Sequence, residues 1–328
     1  MKRQSNIETP DGEWKRSGQV IARIVLTVGT LLAISVLDPA AIGGGSPDVC
    51  QKTAGDALAG CRGAAQSDYQ VALGKCINLT DPTARRSCET DARASLSDAL
   101  QTCQGGYAVR LTACAKLGGA AYDPAIDPAN FVAQIDNPYF PLAPGTTFIY
   151  QSQNSPDKSR DVFAVTHNTR VIDGVTCVEV HDAVFTDGVL AEDTLDWFAQ
   201  DKEGNVWYFG ENTHELEDGL ISTIDGSFMA GVNYDKPGIV MKAHPAIGDF
   251  YRQEFSLGNA EDEAETLSLD SIVTVPYGTF KECLQSEETT PLEPDALEDK
   301  YYAPGVGNVL TVDRVTGERD ELVEIVTE

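Results

Sequence analysis

The spacing of six cysteines constrains this chain more than any other feature of its sequence. The gaps between them are 11, 15, 12, 15 and 11 residues, so the spacing reads the same from either end. In an antiparallel hairpin a step forward on one arm matches a step backward on the other, so paired positions have a constant sum. The spacing therefore predicts a helical hairpin over residues 48–117 with three nested disulfides: Cys50 with Cys114, Cys61 with Cys103, and Cys76 with Cys88.

Residues between the cysteines support the same register. The centre of symmetry falls on Pro82, and Asp81 before it is a favoured helix N-cap, so a second helix is expected to begin there. The same sum places the small residues Ala65 and Ala99 opposite each other, which lets two helices approach closely. Zinc-binding C-x(2–4)-C pairs are absent from the sequence. Disulfides persist in oxidising compartments, so the pattern also predicts an exported protein.

The first 47 residues have the features of a signal peptide or an N-terminal anchor. Basic residues precede an uncharged run over positions 24–37, which is shorter than the roughly 18 residues expected of a membrane span. The segment Ala41-Ile42-Gly43 is suited to cleavage, and the alternative is an uncleaved anchor that begins near Val20. In the second case this segment would be the chain's one attachment to a membrane.

The negative charge is concentrated in the C-terminal part of the chain. Residues 1–118 contain 13 Lys and Arg against 11 Asp and Glu, whereas residues 119–328 contain 11 against 40. Such a surface repels phosphate backbones, which argues against nucleic acid as a partner. It is compatible with cations or basic proteins, and it would also serve simply to keep an exported protein soluble.

Beyond the hairpin the pattern changes to alternating strands. Five prolines in residues 118–145 predict an extended linker, and residues 146–328 predict an acidic, mainly antiparallel β-meander. The fold class is therefore α+β: a disulfide-stapled antiparallel α-helical hairpin followed by a curved sheet or barrel-like sandwich. Strands are expected at 146–153, 161–171, 176–185, 190–200, 206–212, 220–223, 250–257, 266–275, 280–287, 299–303, 306–312 and 321–326, with turns at 173, 187, 204, 218 and 225.

Two passages of the β domain look alike, and each carries one cysteine. Both have a glycine turn followed by a strand, one ending at Cys177 and the other at Cys283. The likeness hints at an internal duplication. Since the other six cysteines are already assigned, Cys177 and Cys283 are expected to form a fourth disulfide.

A group of aromatic and charged residues is the candidate ligand pocket. Strand alternation places Trp207, Phe209 and Glu211 on one face, and Arg252 is the obvious partner for a buried carboxylate there. A structural ion pair behind an aromatic core is the alternative interpretation. The candidate pocket residues are Trp197, Trp207, Phe209, Glu211, Arg252 and Glu254.

Few residues suggest a metal, a cofactor or a catalytic group. Nucleotide-binding, nucleophile-elbow and zinc-protease motifs are absent from the sequence, and it contains four histidines. No cofactor and no catalytic residue is therefore expected. The acidic run Glu261-Asp262-Glu263, together with Glu265, could bind Ca²⁺ loosely, or it could be a solvated loop.

Five strings in the linker and β domain resemble a family of uncharacterised exported bacterial proteins. They are DPANF (127–131), DNPYFPL (136–142), GNVWYFGE (204–211), GDFYRQE (248–254) and KYYAPGVG (300–307). The resemblance implies a bacterial envelope location and brings no catalytic residue with it. The last string is also similar to the late strands of periplasmic curved-sheet proteins that hold acyl chains.

These observations favour a non-enzymatic exported module, periplasmic, extracellular or at the cell surface. In this hypothesis the helical rod presents an acidic β domain to another envelope protein or to a small ligand. One alternative is a carrier of lipid or another apolar ligand in a cavity of the curved sheet. Another is a hydrolase that uses paired carboxylates among Asp196, Glu211 and Glu254.

Overall fold

The computed structural model describes residues 48–155 and 158–328. The predicted signal peptide or anchor, residues 1–47, lies outside the described residues. The described chain comprises a helical hairpin, an extended segment and a large β-sheet. The fold is α+β, as the sequence predicts.

The hairpin consists of α1 (Val49–Ile77) and α2 (Pro82–Leu117). Asp48 caps α1 through a 2.7 Å bond from the Gln51 amide, and Asp81 accepts hydrogen bonds from two amides at the start of α2. The three predicted disulfides are confirmed, with Cα atoms 5.5 to 5.7 Å apart. In the described part of the chain no helix is long and apolar enough to span a membrane.

Sixteen strands form one antiparallel sheet within the described residues. Asp-Gly pairs with positive φ at both residues make the tight turns predicted at 173, 187 and 218. The strands are β1 (Phe131–Val132), β2 (Thr146–Gln153), β3 (Ser159–Ile172), β4 (Val175–Thr186), β5 (Val189–Asp201), β6 (Val206–Glu217), β7 (Leu220–Thr223), β8 (Phe228–Met229), β9 (Lys236–Met241), β10 (Phe250–Arg252), β11 (Glu254–Phe255), β12 (Glu263–Val275), β13 (Gly278–Thr289), β14 (Glu298–Ala303), β15 (Gly307–Asp313) and β16 (Arg319–Thr327).

One short segment brings the two ends of the sheet together. The strand order is β10, β12, β13, β14, β15, β16, β2, β3, β4, β5, β6, β9, β11. Because β10 and β11 are separated by Gln253 alone, residues 250–255 pair with β12 on one side and with β9 on the other. Gly238 of β9 makes this possible, since a Cβ there would lie 2.2 Å from the Gln253 carbonyl carbon. The sheet is therefore nearly closed and barrel-like.

The sheet has a hydrophobic core on each of its faces. The main core fills part of the barrel interior and includes Phe148, Phe198 and Leu322. A second core lies on the opposite face of β4, β5 and β6, where Trp207 and Phe209 pack against Phe131 of the extended segment. The linker thus covers the outside of the sheet at this place.

The prediction of a fourth disulfide is wrong. Cys177 and Cys283 are both free and fully buried. Cys177 of β4 belongs to the second core, whereas Cys283 of β13 belongs to the main core, and six strand positions separate β4 from β13 along the sheet. The two similar passages hold equivalent places in their hairpins, but the closed sheet keeps their thiols apart.

The Pro-rich segment is extended apart from one 3₁₀ turn, Pro128–Asn130, and the short strand β1. Asn137, 2% exposed, fixes it by donating hydrogen bonds to the backbone oxygens of Gly204 and Lys242. The Gln200 side chain accepts hydrogen bonds from the Asp136 and Asn137 amides. These contacts hold residues 135–142 against one end of the barrel.

The hairpin docks on the sheet through its second helix. Arg110 forms a buried ion pair with Glu261, and Lys116 forms a more exposed one with Glu265. Gly106 lets α2 approach closely, because a Cβ there would lie 2.1 Å from the Pro291 carbonyl oxygen. The base of the hairpin is therefore attached to the β domain, while its Pro82 turn is exposed.

Candidate functional site

The barrel interior contains a cavity of about 540 Å³. Among the described residues that line it are ten carboxylates, one lysine and six aromatic side chains. The carboxylates are Asp161, Asp182, Glu192, Asp196, Glu211, Glu254, Asp262, Glu288, Glu298 and Asp320, the lysine is Lys300, and the aromatic residues are Phe140, Phe148, Tyr150, Phe163, Phe198 and Tyr208. The volume lies within the range typical of small-ligand sites.

On β3, β5 and β6 the acidic and aromatic residues that line this cavity lie toward opposite ends of it, whereas Asp182 of β4 is level with Phe163 and Tyr150 of β2 is level with Asp161. On β5 the inward residues include Asp196 and then Phe198, and on the antiparallel neighbour β6 they include Tyr208 and then Glu211. Since the two strands run in opposite directions, both carboxylates lie toward the same end. On β3, which runs in the same direction as β5, Asp161 likewise precedes Phe163. We call these two parts of the cavity the acidic end and the aromatic end.

The aromatic end is closed by the extended segment. Phe198 and Tyr208 stack with ring centroids 4.7 Å apart, and Phe140 packs against Phe198 at 5.4 Å. Leu142, 3% exposed, lies beside them on the same segment. An apolar group inside the cavity would meet these rings.

The acidic end is the more accessible one. The side chains of Glu298 and Lys300 are 45% and 31% exposed, whereas Asp196 and Glu254 are each 6% exposed. Solvent therefore reaches the cavity past Glu298, and the carboxylates become more buried toward the aromatic rings.

Burial keeps several of these carboxyl groups protonated. It raises the pKa of Asp196 well above its usual range, the charge of Asp182 adds to this, and the hydrogen bond from the Tyr208 hydroxyl opposes it only in part. Burial likewise raises the pKa of Glu211 to about 7, although the Thr213 hydroxyl donates a 2.9 Å hydrogen bond to it. The cavity therefore favours protonated carboxyl groups over uncompensated carboxylate charges.

Asp161 and Asp182 form an acidic pair on the adjacent strands β3 and β4. Burial, followed by the mutual repulsion of the two charges, raises the pKa of Asp161. The two carboxyl groups also form a side-chain hydrogen bond, which the protonated carboxyl of Asp161 donates to Asp182. A cation bound between the two carboxylates could take the place of this shared proton.

Lys300 demonstrates how this cavity holds an ammonium group. Its Nζ lies 2.8 Å from Glu288 and 3.7 Å from Glu298. The Ser286 and Tyr302 hydroxyls also donate to Glu288, at 3.0 and 3.1 Å. Burial alone would lower the pKa of Lys300, but the two carboxylates outweigh it and raise the pKa well above the usual value.

The residues proposed from the sequence as a pocket are distributed over three places. Glu211 and Glu254 line the cavity. Trp197, Trp207 and Phe209 belong to the second core, on the other face of the sheet. Arg252 pairs with Glu263 at 2.8 Å rather than with Glu211, and its guanidinium lies over the rings of Phe255 and Tyr122 near the hairpin.

A β-bulge separates Glu211 from the aromatic residues that precede it. Trp197 is opposite Gly210 and Phe198 is opposite Tyr208, which leaves Phe209 as an extra residue in β6. The extra residue reverses the alternation, so Glu211 faces the cavity while Trp207 and Phe209 face outward. The expectation that these three residues share a face is therefore wrong.

Most carboxylates of the cavity were absent from the sequence prediction. Asp196, Glu211 and Glu254, considered there as hydrolase candidates, all line the cavity. The sequence did contain a pattern that points to further cavity residues, because Glu192, Thr194 and Asp196 alternate on one face of β5. It was ambiguous, because Asp193 on the other face of β5 is also acidic.

The acidic run at 261–265 is used mainly for attachment of the hairpin. Glu261, Glu263 and Glu265 pair with Arg110, Arg252 and Lys116, respectively. Asp262 points the other way and lines the cavity. Over residues 48–155 and 158–328, no group of three or more His, Cys, Asp or Glu side chains is arranged to hold a metal ion.

Comparison with known proteins adds little to this description. No family model and no curated protein matches the chain. A solved structure described as a "putative lipoprotein" from Parabacteroides distasonis is similar at 15% identity and a TM-score of 0.28, over 57% of this chain and 98% of its own. That likeness is too slight to support a conclusion. The three disulfides are the observation that points to an exported protein of an oxidising compartment.

Proposed function

We propose that this exported protein is a non-enzymatic binding protein for a small organic cation. The observation that carries the proposal is the excess of carboxylates in the barrel cavity, ten against one lysine among the described lining residues. An ammonium or guanidinium group would replace the protons that these carboxyl groups hold when the cavity is empty. An apolar body attached to it would contact the aromatic end.

The same cavity argues against a lipid carrier. Its volume suits an apolar ligand, but ten carboxylates would have to lose contact with water when an acyl chain entered. None of the described lining residues is a tryptophan. A cationic ligand would be complementary to the charge of the cavity as well as to its shape.

Calorimetric titration with three molecules of similar size would test this function. 2-Phenylethylamine carries a cation on an aromatic body, 2-phenylethanol is its neutral counterpart, and 3-phenylpropanoate is an anionic one. We expect the amine alone to bind, and Glu211→Gln to weaken that binding about tenfold, because one charge-assisted hydrogen bond is lost. Equal binding of the neutral alcohol would contradict the proposal and favour an apolar-ligand carrier.

Glu324→Gln is the matched control. Glu324 lies on β16 but is exposed and does not line the cavity. Its substitution removes one negative charge without touching the site. Unchanged amine affinity in this variant would separate binding in the cavity from general attraction to an acidic surface.

A further inference from the structure

Two pairs of cavity carboxylates that form no ion pair with Lys300 lie on opposite sides of the barrel. If residues 250–255 are counted once, the closed sheet has twelve positions, and β3 is six positions from β12 in either direction. Asp161 lies on β3, with Asp182 beside it on β4. Asp262 immediately precedes β12, with Glu254 beside it on β11. We call these the β3–β4 pair and the β11–β12 pair.

Each pair needs a positive partner that the described chain does not supply in full. In the β3–β4 pair the two buried carboxyl groups share one proton through a hydrogen bond between them, and within the described residues no lysine or arginine forms an ion pair with either. In the β11–β12 pair Glu254 is 6% exposed, and its neighbours in the cavity are the carboxylates of Asp262 and Glu211. Lys300 bonds to Glu288 and Glu298 instead.

We infer that the cavity ligand carries two cationic groups joined by an apolar spacer, one bound by the β3–β4 pair and the other by the β11–β12 pair. This inference rests on the proposed function and specifies its ligand class, that of a linear diamine or polyamine. One cation could satisfy only one of the two facing pairs. The spacer would cross the cavity beside Phe148 and Tyr208, which line it between the two walls.

The test compares alkyl monoamines with α,ω-diamines of the same carbon number, from four to ten carbons, by calorimetric titration at one ionic strength. Once one end is bound, the second binds at a high effective concentration. At the best length we therefore expect the diamine to bind at least about tenfold more tightly than the monoamine. Shorter and longer diamines should lose that advantage.

Two variants locate the ends of the ligand. Asp182→Asn and Glu254→Gln each remove one anchor, so each should reduce the diamine affinity to nearly that of the monoamine. The monoamine itself should lose no more than about twofold, because the other pair remains for it. Asp161→Asn serves as a second variant of the first pair if Asp182→Asn does not fold, and Glu324→Gln is the control.

The outcomes separate this inference from the proposed function. Suppose that monoamines and diamines bind equally at every length, and that Glu211→Gln still weakens binding. This result would contradict a ligand with two cationic groups but would leave the proposed organic-cation site intact. Absence of binding by both series at millimolar concentration would overturn both proposals. Diamines that bind tightly to wild type and to both variants would place the ligand outside the cavity, against both.

Discussion

Arg110 of the second helix donates two hydrogen bonds to the carboxylate of Glu261, across 2.6 and 3.0 Å, and the side chains are 8% and 0% exposed. The Gly258 amide also donates to Glu261, at 2.6 Å. The paired carboxylate and guanidinium satisfy each other in a place that water does not reach. This ion pair fixes the hairpin to the β domain.

Arg110→Met should destabilise the protein strongly, because it leaves the Glu261 charge buried and unpaired. Loss of one partner of a buried ion pair typically costs about 3 to 5 kcal/mol. Urea denaturation followed by circular dichroism would measure the free energy of unfolding. Arg93→Met is the control, since the Arg93 side chain is 58% exposed in its pair with Glu89, and it should cost less than about 0.5 kcal/mol.

Adding Glu261→Gln to Arg110→Met should recover much of the lost stability. The amide is uncharged and its oxygen can still accept the hydrogen bond from Gly258. A double variant as unstable as Arg110→Met alone would show that packing around Arg110, rather than its charge, attaches the hairpin.

Intact-mass analysis should detect three disulfides and not four. Full reduction is expected to add six hydrogens to the oxidised protein, because Cys177 and Cys283 are free. Both thiols are fully buried, so iodoacetamide should modify them only after denaturation. A gain of eight hydrogens, or rapid alkylation of the native protein, would contradict the separation of these two cysteines.

Stability should fall as the pH rises from about 5 to 7. Burial raises the pKa of Glu211 from 4.5 to about 7, and burial followed by the charge of Glu318 raises the pKa of Asp320 to about 6. The folded state keeps these protons at a pH where the unfolded chain has lost them, so raising the pH favours unfolding. For the more deeply buried Glu211, each unit of the shift corresponds to about 1.4 kcal/mol, and the more exposed Asp320 should contribute less.

Urea denaturation at several pH values would measure this slope. Glu211→Gln should make the slope shallower between pH 5 and 7, because it removes one of the groups that bind protons only in the folded state. Glu324→Gln should leave the slope unchanged. Stability that rises over the same interval would mean that these carboxyl groups are ionised in the folded protein.

Lys300→Ala should create a site that an added amine can fill. The substitution leaves Glu288, which is 7% exposed, without its cation and should cost on the order of 1 to 3 kcal/mol. Butylamine has the size of the missing side chain and should restore part of the melting temperature through binding to the folded state. Butanol should not, because it lacks the charge.

The control for this rescue is Lys202→Ala, which removes an exposed lysine. Its melting temperature should respond to butylamine as that of the wild type does. A response of Lys300→Ala no larger than the control would argue against ammonium binding by Glu288 and Glu298.

The hairpin could be predicted in detail because the spacing of the cysteines determines the register of its two helices. Any slip of one arm would have misaligned all three pairs at once. The long strands could be predicted from alternation and from turns such as Asp187-Gly188. The strand β9 was missed because Pro237 and Gly238 disfavour a strand, whereas here Gly238 serves the close approach of β11.

The cavity could not be predicted from alternation alone. Which face of a strand points inward depends on closure of the sheet by residues 250–255, a contact between segments far apart in sequence. The bulge at Phe209 then moves Glu211 to the inner face. Acidic residues on both faces, such as Asp193 and Asp196 on β5, remove the contrast that normally distinguishes inside from outside.

Every disulfide in the described chain joins α1 to α2, and none reaches the sheet. Apart from the backbone of the linker, the contacts that hold the hairpin to the barrel in the described structure are non-covalent, chiefly those of Arg110 and Lys116. The covalent cross-links and the cavity are thus in separate parts of the molecule. Reduction of the three disulfides would therefore loosen the helical hairpin and break no covalent bond within the sheet.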